Sequence, residues 1–367
     1  MVKVLSVFGT RPETIKMAPL VKELERRENI QSIVCVTGQH RQMLDQVLQA
    51  FDIHPDYDLN IMKQGQTLSD ITEAILQKLD PVLTETNPDI VLVHGDTTTA
   101  FAAALCAFYR KIPVGHVEAG LRTYNKYSPY PEEINRQFIS LVADMNFAPT
   151  EQSRQQLLNE GKSADSIFVT GNTAIDALKL TVHEDYEDDV IQWAKGSRLI
   201  VLTAHRRENL GNPMRGMFRA IRRICEKYPD VKVVYPVHLN PLVVETANEI
   251  FGAADSVRLI QPLEVVEFHN LLAKSYMILT DSGGIQEEAP SLHKPVIVLR
   301  DTTERPEGVA AGTLRLAGTE EETIFRMIDE LLCDADQYNT MCQAKNPYGD
   351  GQASARIADA ILNRFNI

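Results

Sequence analysis

The stretch ILTDSGGIQEEAP, residues 278–290, ends an apolar run on a polar turn and then takes up a helical pattern. The run SYMILTD is short and unalternating, as a strand buried on both faces is. It stops at Asp281, Ser282 and the pair Gly283–Gly284. Glycines between a strand and a helix leave backbone N–H groups pointing outward at the positive helix end, where anions settle. Yet Glu287 and Glu288 follow, and carboxylates repel anions. A nucleoside diphosphate satisfies both features. Its phosphates meet Ser282, Gly283 and Gly284, and its ribose hydroxyls donate to Glu288, as they do to acids at dinucleotide sites. The plain alternative is a glycine-containing helix start with solvated glutamates.

The same strand–turn–helix unit repeats along the chain. Strand candidates are VKVLSVF, QSIVCVT, DIVLVHG, PVGHVE and SIFVTG, then RLIVLTA, VKVVYPV, SVRLIQ, SYMILTD and KPVIVLR. Amphipathic stretches such as TTTAFAAALCAFYRK and MRGMFRAIRRICEKY lie between them. Continuous apolar strands interleaved with helices predict buried parallel sheet, an α/β doubly wound architecture. Two sets of about five strands exceed one ordinary sheet of roughly four to six. The expectation is two Rossmann-like domains that part near TGNTAIDALKL (170–180): 1–170 with the helix 354–367, and 171–353, the second binding the nucleotide. "VLSVFGTRPE" and "LIVLTAHRRE" open the two halves alike, each a strand followed by an Arg-bearing turn. Ligands of open α/β sheets sit beyond the carboxyl ends of the strands, so the informative residues follow each strand.

Composition narrows the classes. Apolar residues make up 44% and charged ones 24% of 367 residues, ordinary for a protein with a real core. Lys plus Arg total 37 against 50 Asp plus Glu, a formal charge of −13. That argues against a general nucleic-acid or anionic-membrane binder, though not against a local basic pocket. The five cysteines are scattered with no C-x-x-C pair, which speaks against a disulfide framework or zinc knuckle. The first apolar run is too short for a signal peptide and no later one spans a bilayer, so a cytoplasmic protein is expected.

Candidate chemistry clusters after the strands. In FGTRPETIK, Arg11 and Lys16 flank a helix start that favours phosphate, or they decorate a plain junction. VLVHGDTTTAF ends on Asp96, which is first of all a helix N-cap candidate. VGHVEAGLRT places Glu118 between a strand and a glycine turn, where structure alone explains it poorly. His116 and Glu118 lack further ligands at familiar spacing, so no metal is expected. In YSPYPEEINRQ, Glu132 suits the helix dipole and Arg136 can pair with it. Asp96, Glu118 and Glu132 nonetheless fall on one sheet edge. Clustered carboxylates raise one another's pKa, so one stays an acid while another acts as base. In TAHRRENLG, His205 is a core histidine or a proton donor, with Arg206 and Arg207 adding positive charge. Arg305, in RDTTERPEGV, touches phosphate or pairs with Glu304.

Taken in order, FGTRPE-x-IKMAPLV, TGQHRQMLDQVL, VHGDTTT, VGHVEAGLRT, PEE-x-NR, HRRE, YPVHLNP, LTDSGGIQEEAPSL-x-KPV, LRDTTERPE and NPYGDGQA resemble the bacterial non-hydrolysing UDP-N-acetylglucosamine 2-epimerases. The likeness runs from residue 3 to about 356. It implies a GT-B-like pair of domains with a central cleft, a last helix crossing back to the first domain, a homodimer and no cofactor. It also implies elimination of UDP across C1–C2 to a 2-acetamidoglucal and re-addition with the opposite C2 configuration, since the C2 proton has no adjoining carbonyl to acidify it. Carried over by motif, Asp96, Glu118, Glu132 and His205 are catalytic. Arg11, Lys16, Arg136, Ser282, Gly283, Gly284 and Arg305 grip phosphate or sugar, Glu288 holds the ribose, and Phe268 sits beside the uracil.

The resemblance further implies an activating UDP-GlcNAc bound by Gln39, Gln42, Arg206, Glu208 and His238. Two positions depart from some members: Gly65 in IMKQGQ stands where an Arg occurs, and Leu263 in QPLEV where a Gln occurs. The rival readings are a hydrolysing epimerase that releases ManNAc, a GT-B glycosyltransferase, and a nucleotide-sugar sensor without turnover. The product's expected destination is cell-surface polysaccharide.

Overall fold

The computed structural model describes residues 1–38, 41–252 and 254–367, with the side chains of Gln42 and Met43 outside that description. The chain divides into two compact units, residues 1–180 with 348–367, and residues 181–347. The division falls at 180/181 and 347/348, against 170/171 and 353/354 expected from the sequence. Helix Thr173–Thr181 stays with the first unit because Asp176 caps the last helix, Ala353–Arg364, accepting from the N–H groups of Ala353 (3.2 Å) and Ser354 (2.8 Å). Arg27 adds an ion pair to Asp359 of that helix at 2.9 Å.

In the first unit β1 (Val2–Phe8), β2 (Ile30–Val36), β3 (Tyr57–Asp58), β4 (Ile90–His94), β5 (Val114–Val117), β6 (Met145–Ala148) and β7 (Ile167–Val169) form one sheet in the order β3-β2-β1-β4-β5-β6-β7. In the second, β8 (Arg198–Thr203), β9 (Val231–Pro236), β10 (Val257–Ile260), β11 (Met277–Thr280), β12 (Val296–Val298) and β13 (Leu314–Leu316) follow the order β10-β9-β8-β11-β12-β13. Every neighbouring pair is parallel. Parallel neighbours need crossovers, and the helices between strands supply them. Among the described residues seven and six strands stand where about five each were expected. The additions are β3, β6 and β13, each four residues or fewer.

Each unit is a doubly wound sheet whose strand order reverses once, between β1 and β4 and between β8 and β11. Those reversals open a crevice at the carboxyl ends of the two strands concerned. Small side chains bring the covering helix close to the first sheet. Ala100, Ala103 and Ala107 of helix Thr98–Tyr109 are fully buried in one cluster with Leu5, Val7, Val91 and Val93. In the second unit Met217, Phe218 and Ile221 of helix Asn212–Lys227 pack on Ile200, Leu202 and Tyr235. Among the described residues no helix is long and apolar enough to cross a membrane.

Candidate active site

At the first reversal, β1 runs into Gly9 and Thr10. A side chain at Gly9 has no room, since a Cβ there would lie 1.7 Å from Thr37 Oγ1. Thr10 caps helix Arg11–Arg26 and Glu13 completes the capping box. Glu13 is 2% exposed. Its Oε2 accepts the N–H groups of Gly9 (3.0 Å) and Thr10 (2.8 Å), and its Oε1 accepts the Thr97 hydroxyl at 2.5 Å. Burial raises the Glu13 pKa above the ordinary carboxylate value, against the pull of these bonds. The turn after β1 is thereby tied to the residue that follows Asp96.

Asp96 does not cap the next helix. Thr97 does, accepting from Ala100 N at 3.0 Å, and this leaves the Asp96 carboxylate to pair with Arg136. Asn135 Nδ2 donates to the Asp96 carbonyl at 2.9 Å. Arg136 also approaches Glu133 at 3.5 Å, not Glu132. Glu133 is fully buried and accepts from the N–H groups of Thr123 (2.9 Å) and Tyr124 (3.0 Å), so it shapes the loop. Glu132 is half-buried at the first position of helix Glu132–Val142, with Pro131 as the cap before it.

Glu118 follows β5 with φ at +64°, a left-handed conformation that a side-chain-bearing residue adopts only at a cost. Its carboxylate is 9% exposed. Oε2 pairs with Lys16, accepts from Asn172 Nδ2 at 3.0 Å and lies 3.9 Å from His94 Nε2. Oε1 lies 3.5 Å from where a Cβ of Gly95 would sit, which sets Glu118 beside the residue before Asp96. Burial holds His94 down at about 4 and His116 at about 3, so both are neutral near pH 7. His116 Nε2 is 2.7 Å from the Gly95 carbonyl and steadies that turn. Arg11 begins the capped helix on the same edge.

At the second reversal a different carboxylate holds the turn. Asp281 is fully buried, and its Oδ2 accepts the N–H groups of His205 and Arg206, both at 2.8 Å, and Asn209 Nδ2 at 3.2 Å. His205 Nδ1 stands 3.3 Å from Asp281 Oδ1, and the imidazole stacks on His238 at 5.5 Å and 11°. Burial lowers the His205 pKa, against Asp281 and with help from His238 and Arg206. Ser282 precedes a helix of only six residues, Gly283–Glu288. A Cβ at Gly283 would lie 3.9 Å from Arg206 Nη2 and 4.0 Å from Arg305 Nη2, so two guanidinium groups flank this glycine. Arg305 pairs with Glu287 through its side chain and donates to the carbonyl of Glu304 at 3.2 Å. Glu304 belongs instead to Arg300 (2.5 Å); burial opposes its ionisation, but Arg300 and Arg206 hold it at about 2. Glu208 is 3.3 Å from Arg300. Glu288 lies 3.6 Å from the buried His269, which bonds to Thr181 Oγ1 at 2.7 Å. Phe268 and Leu263 are partly buried and both pack against the same core cluster of the second unit. Gln39 and the Gln42 side chain lie outside the described residues.

The comparisons with known proteins decide the family. The model of the UDP-N-acetylglucosamine 2-epimerase family matches residues 22–362. The chain belongs to the UDP-N-acetylglucosamine 2-epimerase family. It is 64% identical over 363 residues to the UDP-N-acetylglucosamine 2-epimerase of Bacillus subtilis (strain 168), covering 99% of this chain and 96% of that one. Among solved structures it resembles the S. aureus MnaA–UDP co-structure, with a TM-score of 0.91, 53% identity and coverage of 100% and 97%. It also resembles the UDP-GlcNAc 2-epimerase from Neisseria meningitidis bound to UDP-GlcNAc, with a TM-score of 0.87, 51% identity and coverage of 99% and 100%. Membership of this epimerase family makes the chain an isomerase. Among the described residues no group of three or more His, Cys, Asp or Glu side chains is placed to hold a metal ion.

Four residues of these epimerase turns escape a reading by motif roles: Glu13, Glu133, Asn172 and Asp281. Glu13 carried a signal, the T-x-x-E spacing of a capping box. Asn172 carried none, because its partner Glu118 is 54 residues away.

Proposed function

We propose that the protein interconverts UDP-N-acetylglucosamine and UDP-N-acetylmannosamine without hydrolysis. A carboxylate takes the C2 proton, the C2–H pair becomes the C1=C2 bond of a 2-acetamidoglucal, and UDP departs with the C1–O pair. Re-addition returns a proton to the other face of C2 and UDP to C1. The observation that carries this reading is Glu118, left-handed in its backbone and with its carboxylate engaged by Lys16 and Asn172, beside Asp96 and its partner Arg136. Such an array keeps carboxylates oriented for proton transfer. Asp96, Glu118 and Glu132 share the proton transfers, with Arg11, Lys16 and Arg136 supplying positive charge. In the second unit Arg305, Ser282, Gly283 and Gly284 take the diphosphate, Glu288 the ribose and Phe268 the uracil, while His205 assists the leaving group.

The same reading includes an activating UDP-GlcNAc at Gln39, Gln42, Arg206, Glu208 and His238; the stacking of His238 on His205 supports a link between activator and chemistry. It includes a homodimer, supported by the exposed Phe108, Tyr109, Phe138 and Leu141 on two adjoining helices of the first unit. It also includes work in the cytoplasm, where the unpaired cysteines stay reduced, and supply of ManNAc units to cell-surface polysaccharide. Proton NMR of UDP-GlcNAc with the enzyme in heavy water tests the reaction. UDP-ManNAc carrying deuterium at C2, with deuterium also entering UDP-GlcNAc, is expected. Free ManNAc and UDP as the products would mean the hydrolysing reaction, and binding without exchange would mean a sensor.

A further inference from the structure

The geometry points to Asn172 as a positioning residue for Glu118, an inference that rests on the proton-transfer role proposed for that carboxylate. Asn172 follows the left-handed Gly171 and is 3% exposed. Its backbone is pinned first: Asn172 N–H donates to the Tyr348 carbonyl at 2.7 Å. That contact is possible because two glycines face each other, a Cβ on Gly171 falling 3.2 Å from Gly349 Cα. Its side chain is then oriented by a helix cap. Asn172 Oδ1 accepts from Ala174 N at 2.9 Å at the start of helix Thr173–Thr181. With the oxygen so engaged, the amide nitrogen must face the other way, and it donates to Glu118 Oε2 at 3.0 Å. Turning the amide over would break both bonds at once.

The consequence for Glu118 is specific. Its backbone is in a conformation it does not prefer, so the direction of its carboxylate has to be imposed from outside. Lys16 supplies charge on a flexible stem, whereas Asn172 supplies a donor fixed in direction by its cap and by Tyr348. A neutral, directed donor holds the carboxylate without adding or removing charge at the acid cluster.

Asp at this position separates the two functions of Asn172. In Asn172→Asp one carboxylate oxygen still caps Ala174, but the other faces Glu118 and repels it. The variant should stay folded, with a lower melting temperature from the buried repulsion, and bind UDP within about 2-fold of the wild type. Its kcat should fall roughly 10- to 100-fold with little change in KM, as for a misplaced reacting group. The acid limb of its kcat–pH profile should move to higher pH by about one unit, because a second carboxylate opposes ionisation of the first. Asn172→Ala, which loses the donor without adding charge, should lower kcat and leave the acid limb nearer the wild-type position. Wild-type kcat and acid limb in Asn172→Asp, with wild-type protein exchanging deuterium into C2, would overturn the positioning role and leave the epimerase reading standing. No exchange by the wild-type protein would overturn both.

Discussion

The turns after β1 and β8 solve one problem in two ways. Each carries the chain from a buried strand to a polar helix start at a strand-order reversal, and each is held by a buried carboxylate that accepts two consecutive backbone N–H groups. After β1 the acceptor is Glu13, four residues beyond the first donor and three beyond the second. After β8 the acceptor is Asp281, the residue that follows the neighbouring strand β11, 76 and 75 residues away. The first clamp forms as soon as its helix does. The second exists only once β8 and β11 are paired, so it reports on the whole sheet. Both clamps reach a second turn, but the first holds its own backbone N–H groups from within its helix and reaches Thr97 only with its other oxygen, whereas the second holds its N–H groups from across the sheet.

The largest expected effect tests the distant clamp. Asp281→Ala strands the N–H groups of His205 and Arg206 and the amide of Asn209, and should cost about 3–5 kcal/mol by denaturant unfolding. It should also weaken UDP binding, since Arg206 loses its hold beside Gly283. Glu13→Ala should cost less, about 2–3 kcal/mol, because burial already opposes this carboxylate's charge and its loss relieves that penalty while it strands the N–H groups of Gly9 and Thr10. Equal costs would erase the distinction drawn between the clamps.

The smallest effect is a slope. Because burial raises the Glu13 pKa above 4.5, the folded protein keeps a proton there that the unfolded chain releases. Stability from this group is therefore greatest below 4.5 and declines as pH rises toward the folded value. Glu13→Gln can accept the two N–H groups with its oxygen and donate to Thr97 with its nitrogen. It should cost under about 1 kcal/mol and flatten that decline in stability measured across mildly acidic pH. A slope unchanged by Glu13→Gln would assign it to another group.

These clamps also mark where the sequence is legible. VKVLSVF is β1 residue for residue, and RLIVLTA and VKVVYPV run one residue past β8 and β9, because runs buried on both faces are apolar whatever surrounds them. β6, read MNFA, was not anticipated because it is four residues long and has Asn146 inside it. β3 and β13 are edge strands of two and three residues, paired by position rather than by composition. The same division runs through the site. Thr10 with Glu13 is a spacing visible in the chain, and so is the Ser282–Gly284 turn. The pairing of Lys16 with Glu118 spans 102 residues, and that of Arg136 with Asp96 spans 40. Arg136 had a nearer acid in Glu132, and only the packing of helix Glu132–Val142 against the turn after β4 directs it elsewhere.

The first unit is discontinuous, its last part being residues 348–367. On a ribosome the chain of the second unit emerges whole while the first still lacks Tyr348, the carbonyl that pins Asn172, and the helix that Asp176 caps. Domains made N-terminal first ordinarily fold first. Here the order of completion is inverted. The unit begun earliest finishes last, and Asn172 gains its Tyr348 partner only after the second unit already has all of its chain.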